Sequence, residues 1–278
     1  MHYILALRSY GDFIILINSL IHSEDPKKYT IIASLHLKPL YDSLIDSVEI
    51  NDIKIFFFDL RINNGLLNLF TIKYFLSIDT IIQVKLLKKA LYQVSNLEKS
   101  ELIVEKEDRK WLLQLILNLN LKFIVKRNYN VYDAFSNFFK SKNYLYFSSL
   151  AKGDQVAIIP IARLKKRNFP KILVSELVKK VEVVGLNYKI YSYKNHSYIN
   201  DCIYDNFTIL INVIKNANLI ICADSLQSHL CHLFKKNHFI FIPKDGKIDF
   251  LTPFAINYNY YDSFDKSNFN ILDYQNVN

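Results

Sequence analysis

Cysteine, glycine, proline, methionine and tryptophan are all scarce in this chain of 278 residues. Its three cysteines, Cys202, Cys222 and Cys231, cannot all pair with one another and lack paired spacing, which points to a reducing compartment. The N-terminus MHYILALRSYGDF has no basic segment followed by an apolar stretch and a small-residue cleavage site, so no secretory leader is expected. No window of about 18 residues is free of charged or strongly polar side chains, which argues against a membrane-spanning helix. An arginine-rich arm is missing, as is a basic motif interleaved with aromatics, so nucleic acid ranks last among partners for a formal charge of +9. The low counts of glycine (5) and proline (6) accompany abundant Asn, Lys, Ile and Tyr. That skew toward A/T-rich codons removes the weight from small compositional biases.

What is present is 51% hydrophobic and 22% charged residues, enough for an ordinary core in one large or two medium domains. Positive charge also suits an anionic membrane surface or a phosphorylated substrate. The expected location is the cytoplasm, with peripheral contact to the inner membrane face.

Along the chain, short strand-like runs alternate with longer helical ones. HYILAL (2–7), YTIIASL (29–35), IKIFFFD (53–59), ELIVE (101–105) and KFIVK (122–126) read as strands. The uninterrupted apolar run at 53–59 suggests a strand covered on both faces. Helices are expected over 12–22, apolar almost all round, and over 37–45, within 65–98, and over 110–119 and 131–140. Residues 141–154 lose periodicity and form the expected linker. A second alternation follows, with strands at 155–160, 187–193, 217–223 and 238–243 and helices at 170–181, 205–217 and 226–236. In the first of these helices Leu173, Val174, Leu177, Val178 and Val181 form one stripe, and Pro170 suits the first turn. The tail from Asn257 is polar and tyrosine-rich, with no assignable element. The expected architecture is two Rossmann-like parallel-sheet domains, residues 1–148 and 149–278, facing each other across a cleft.

Parallel sheets bind ligands beyond the carboxyl ends of their strands, which directs attention to three junctions. In LRSYGDF (7–13), Gly11 permits a close turn, and Asp12 is either a helix N-cap or a general base. In PIARLKKRNFP (160–170), the cations Lys165, Lys166 and Arg167 either form a solvated loop or neutralise a diphosphate. In ANLIICADSLQSHLCHLF (217–234), Asp224 and Ser225 open a helix whose N–H groups and dipole suit phosphate, with His229 one turn in. A hydrolytic triad of Asp224, Ser225 and His229 is disfavoured because no G-x-S-x-G elbow is present. Zinc at Cys222, His229, Cys231 and His232 is disfavoured because helical spacing points residues 229, 231 and 232 in different directions.

Together these junctions resemble glycosyltransferase family 9, the heptosyltransferase-like enzymes of bacterial surface-polysaccharide synthesis, which have the two-domain GT-B fold. ILALRSYGDFIILINSL looks like the family's strand, Gly-Asp and apolar helix; PIARLKKRNFP is similar to its segment leading to Lys-Arg-Trp-Pro; ADSLQSHL matches its Asp-Ser/Thr-Gly-x-x-His-Leu at Asp224, Ser225, His229 and Leu230. The resemblance implies that Asp12 activates an acceptor hydroxyl while Lys166 or Arg167, with Asp224, Ser225 and His229, holds the diphosphate of a nucleotide sugar. It implies a sugar transferred to a glycan or glycolipid of lipopolysaccharide or capsule type, with no bound metal and no cofactor. Ile161 and Leu226 stand where the family usually has glycine. Those two departures favour the alternative, a catalytically reduced nucleotide-binding or scaffold relative.

Overall fold

Apolar runs too short for helices become parallel strands in the computed structural model of the chain, which describes residues 2–6, 9–50, 52–59, 78–94, 101–106, 121–125, 130–141, 155–194, 198, 201–243, 252, 255–260 and 271. The chain divides into two compact units, Met1–Asn143 and Tyr144–Asn278. The expected helix at 110–119 and all but the first residue of the expected linker at 141–154, with its boundary after residue 148, lie outside the described residues.

In the first unit, β1 (His2–Ala6), β2 (Tyr29–Ser34), β3 (Lys54–Phe58), β4 (Glu101–Lys106) and β5 (Leu121–Val125) pair in the order β3-β2-β1-β4-β5. Every pairing is parallel. Helix α1 (Tyr10–Ile21) follows β1 and buries Phe13 through Leu20 without a solvent face, as its sequence demands. The described helices continue with α2 (Lys38–Ile45), α3 (Ile78–Val94) and α4 (Val131–Phe139). Ser23 Oγ donates to the Phe139 carbonyl at 3.0 Å and Ser141 Oγ to that of Ser19 at 2.8 Å, so α1 and α4 are joined at their C-terminal ends. One expectation fails here: β3 is an edge strand rather than a doubly covered one, and Phe56 is 42% exposed.

In the second unit the order is β11 (Ala255–Tyr260), β10 (His238–Ile242), β9 (Leu219–Ala223), β6 (Gln155–Ile159), β7 (Asn187–Tyr193) and β8 (Asp201–Tyr204), again parallel throughout. Strands β9 and β10 are buried at every residue, which requires cover on both faces. Helix α5 (Lys171–Val183) inserts Leu173, Val174, Leu177 and Val181 into a core shared with Ile158, Ile221 and Phe239. It begins after Pro170, which takes the N-cap place rather than the first turn. Helices α6 (Phe207–Asn216) and α7 (Leu226–Leu233) flank β9 in sequence. The short edge strand β8 and the asparagine-rich β11 were not expected from sequence.

Both sheets start in the middle. From β1 the chain builds outward to β2 and β3, then crosses to β4; from β6 it builds to β7 and β8, then crosses to β9. Each sheet therefore has a switch point, between β1 and β4 and between β6 and β9, where the loops part and leave room for a ligand at the carboxyl edge.

Candidate functional site

At the second switch point, two loops are held against each other. The segment leaving β6 stays buried through Pro160, Ile161 and Ala162, then turns outward as a one-turn 3-10 helix at Lys165–Arg167. Its base is closed by Phe169 N–H to the Pro160 carbonyl at 2.9 Å and by Ala162 N–H to Asn168 Oδ1 at 2.8 Å. Phe169 is packed edge-on against Phe241, with ring centroids 5.6 Å apart, and its carbonyl accepts from the Tyr198 hydroxyl at 2.8 Å. The base of the loop is thus tied down, while Arg163 through Lys166 at its tip are exposed to solvent.

What this base positions is Arg167. Its Nη1 lies 3.0 Å from Asp224 Oδ2 and donates to the Asp224 carbonyl at 3.2 Å. The Asp224 side chain is 2% exposed and that of Arg167 26%. The contact with Oδ2 is ionic rather than a well-directed hydrogen bond, and neither carboxylate oxygen accepts one. Burial pushes the Asp224 carboxyl above its ordinary pKa, and Arg167 offsets that only in part. The carboxylate therefore sits behind the guanidinium and orients it, leaving the cation's outer edge for an anion.

The junction after β9 supplies the second element. Ser225 is the N-cap of α7 in extended conformation, half-buried, and its hydroxyl makes no capping hydrogen bond. Its carbonyl instead receives Ser228 N–H at 3.2 Å and Ser228 Oγ at 2.7 Å. His229, one turn in, is 6% exposed and packed among buried residues of α7. Lys166 is exposed on the 3-10 turn beside Arg167. Of the residues picked from sequence in this unit, Arg167 and Asp224 are in contact, Ser225 follows Asp224 in the chain, and His229 is buried one turn into α7.

In the first unit, Asp12 is the third residue of α1 and Gly11 the second, buried residue, so Gly11 belongs to the helix rather than to a turn before it. The N-cap is Ser9: its hydroxyl accepts from Asp12 N–H at 3.2 Å and donates to Asp12 Oδ2 at 2.9 Å, so one hydroxyl both caps the helix and holds the carboxylate. Asp12 is half-buried, with its second carboxylate oxygen not taken by Ser9. At the end of neighbouring β2, His36 Nδ1 pairs with Ser34 Oγ at 2.8 Å and its ring meets Tyr10 edge-on at 5.7 Å.

Sequence reasoning missed His36, Asn168, Tyr204 and Gln227. Gln227 is 4% exposed, and its Nε2 donates to the Ile161 carbonyl at 2.6 Å and to the Tyr204 hydroxyl at 3.3 Å. The available signal was an amide in the first turn of a helix that follows directly on a fully apolar strand. Among the described residues no three His, Cys, Asp or Glu side chains gather as metal ligands. Cys222 and Cys231 are free thiols hydrogen-bonded to each other, and that hydrogen bond, then burial, pushes the Cys222 thiol up, which leaves it unreactive.

No protein-family model matches the chain, and no curated protein sequence does. Solved structures do match. E. coli ADP-heptose lps heptosyltransferase II is 10% identical, with TM-score 0.59 over 100% of this chain and 98% of that one. The fold is GT-B. A glycosyl transferase family 9 protein from Veillonella parvula shares the GT-B fold at 11% identity and TM-score 0.58, covering 99% of this chain and 94% of that one. The E. coli heptosyltransferase WaaC with ADP-2-deoxy-2-fluoro heptose matches at 11% identity and TM-score 0.55 over 93% of this chain and 92% of that one.

Proposed function

We propose that this chain is a divergent glycosyltransferase of the family 9 type, which moves a sugar from a nucleotide-diphosphate donor to a hydroxyl of a bacterial surface glycan or glycolipid. The observation that carries the reading is Arg167 anchored on Asp224 at the β6/β9 switch point, next to the start of α7. A guanidinium fork and the N–H groups of a helix start are complementary to two linked phosphates. Two structures of one neighbour, E. coli heptosyltransferase WaaC, support a nucleotide-sugar donor, since one has ADP and the other ADP-2-deoxy-2-fluoro heptose.

In the proposed reaction the acceptor oxygen attacks the anomeric carbon and its proton passes to Asp12. The bond from that carbon to the diphosphate oxygen breaks, and the electron pair leaves with the nucleoside diphosphate. Arg167, Lys166, Ser225 and the α7 start stabilise the departing charge, and His229 backs the first turn of that helix. This chemistry takes its positive potential from the protein and uses no metal ion or cofactor. Work at an anionic membrane face in the cytoplasm fits the charge of +9.

A second reading, a nucleotide-binding scaffold of polysaccharide assembly, is favoured by one feature. Ile161 keeps its side chain buried where a glycine would leave space, and the neighbouring Ala162 N–H is already bound to Asn168. Release of nucleoside diphosphate from ADP-, GDP- and UDP-sugars, with lipopolysaccharide- and capsule-type acceptors, separates the two. The enzyme reading expects one donor to be consumed, and Asp12→Ala to slow release about 10²- to 10⁴-fold with donor affinity retained. If wild type and variant both bind nucleotide and neither turns over any donor, the scaffold reading stands instead.

A further inference from the structure

We infer that Gln227 is a positioning residue of the diphosphate site: its amide ties the loop bearing Arg167 to the start of α7, so that the two phosphate-binding elements keep a fixed spacing. The inference rests on the glycosyl-transfer reading.

Gln227 is the second residue of α7. Through Nε2 it reaches the Ile161 carbonyl, on the segment leaving β6, and the Tyr204 hydroxyl, at the end of β8. One side chain thus gathers the carboxyl ends of β6, β8 and β9, and reaches past β7, which lies between β6 and β8 in the sheet. The amide's orientation is decided by chemistry, because a carbonyl only accepts and so must face the NH₂ group. Tyr204 keeps its proton, since burial lifts its phenol to about 12, and it remains a neutral partner at physiological pH.

Commitment of Nε2 leaves Oε1 buried with no hydrogen bond. A buried acceptor without a donor costs stability, and an apolar side chain of similar volume would avoid the cost. Asp224, three residues earlier, carries the same liability at Oδ1, while its Oδ2 has the ionic contact with Arg167 but no hydrogen bond. Two such residues at one strand end are better explained by geometry held for a ligand than by packing. Both sets of oxygens are shielded from solvent, so these residues act behind the binding surface and not on it.

The tie completes a bracket. Arg167 holds the Asp224 carbonyl from the loop side, and Gln227 holds the Ile161 carbonyl from the helix side. Around those two points the base of the loop is closed by Phe169 N–H on the Pro160 carbonyl and Ala162 N–H on Asn168 Oδ1. Freeing the Gln227 end lets the base of the loop move, and Arg167 with it. A ligand that spans both elements through two phosphates feels that movement; one that uses a single phosphate feels it far less.

The test is calorimetric titration of ADP, GDP and UDP, and of the matching monophosphates, into wild type, Gln227→Met and Tyr204→Phe. Gln227→Met keeps the volume and removes the donor. The expected result is a loss of about tenfold in affinity for whichever diphosphate binds, with the monophosphate changed less than about twofold. Tyr204→Phe removes only the longer contact and should lose about two- to threefold; it also serves if Gln227→Met does not fold. Equal diphosphate affinity in variant and wild type, or a parallel fall for both phosphate forms, would overturn the inference. If the wild type binds none of the nucleotides, the transferase reading fails by itself and the tie is judged by amide hydrogen exchange. Faster exchange confined to residues 162–167 and 225–228 in the variant would uphold it, and unchanged or global exchange would refute it.

Discussion

Asp224 shows how a single side chain can serve a site at the expense of the fold. Its carboxyl is raised by burial more than Arg167 lowers it, so its folded pKa exceeds its unfolded one. Such a group favours the fold most when protonated, and that contribution is lost as pH rises through the folded pKa. Asp224→Asn should therefore unfold at the same temperature as wild type or higher at pH 7, and the difference should close below the ordinary carboxylate range, about pH 4. The same variant should bind nucleoside diphosphate more weakly, because Arg167 loses its anchor. His238 gives the opposite kind of dependence. It is fully buried, Nδ1 is held to the Lys236 carbonyl at 2.7 Å, Nε2 has no hydrogen-bond partner, and burial lowers its pKa to about 4. Its stabilising contribution is complete above about pH 6.5 and drains away as pH falls toward 4, by roughly 3 kcal/mol. Urea unfolding across that window should show a steeper loss for wild type than for His238→Gln. At this scale Asp224 could be picked from sequence because it follows an apolar strand run, and Arg167 because it belongs to a cluster of three cations in the segment after one. Gln227 could not, because its partners lie 66 and 23 residues away, and only the sheet order brings them together.

Elements were legible where a local signal sufficed. The capping pair Ser9 and Asp12 and the all-apolar run behind it fix α1, although the helix opens at Tyr10 and not at Asp12 as the sequence suggested. Strand β8 is only four residues, DCIY, with Cys202 and Ile203 exposed at the sheet edge, too short for a period to register. Strand β11, AINYNY, is rich in asparagine, a residue that strands generally avoid, and its place is set by pairing with β10. Phe57 and its neighbours in β3 read as core by hydrophobicity alone, whereas edge position is a property of topology. Helix ends offer the element-scale prediction. Helix α5 closes with Gly185 at φ +73°, its N–H on Glu182 and that of Leu186 on Val181. Helix α7 closes with the same pair of bonds around Lys235 at φ 54°. A non-glycine residue in the left-handed region costs about 1 kcal/mol. Lys235→Gly should therefore raise the free energy of unfolding by about 1 kcal/mol, seen as a higher midpoint in thermal denaturation, without altering nucleotide affinity.

For the whole molecule, the alternation of strands and helices in two sets carried the architecture, and both units have the expected parallel sheets. Two solved heptosyltransferases match at 10–11% identity, so the likeness is one of fold. No helix among the described residues is long and apolar enough to cross a membrane. The function proposed here depends on one physical claim: the β6/β9 switch point, with Arg167 in front of Asp224 and the start of α7 beside it, holds the two phosphates of a nucleotide. A crystal structure of the chain soaked with ADP, GDP and UDP tests that claim most directly. Phosphate density against the Arg167 guanidinium and the N–H groups at residues 225–227 is the predicted result, whereas a nucleotide seated away from both elements, or none bound, would contradict the account.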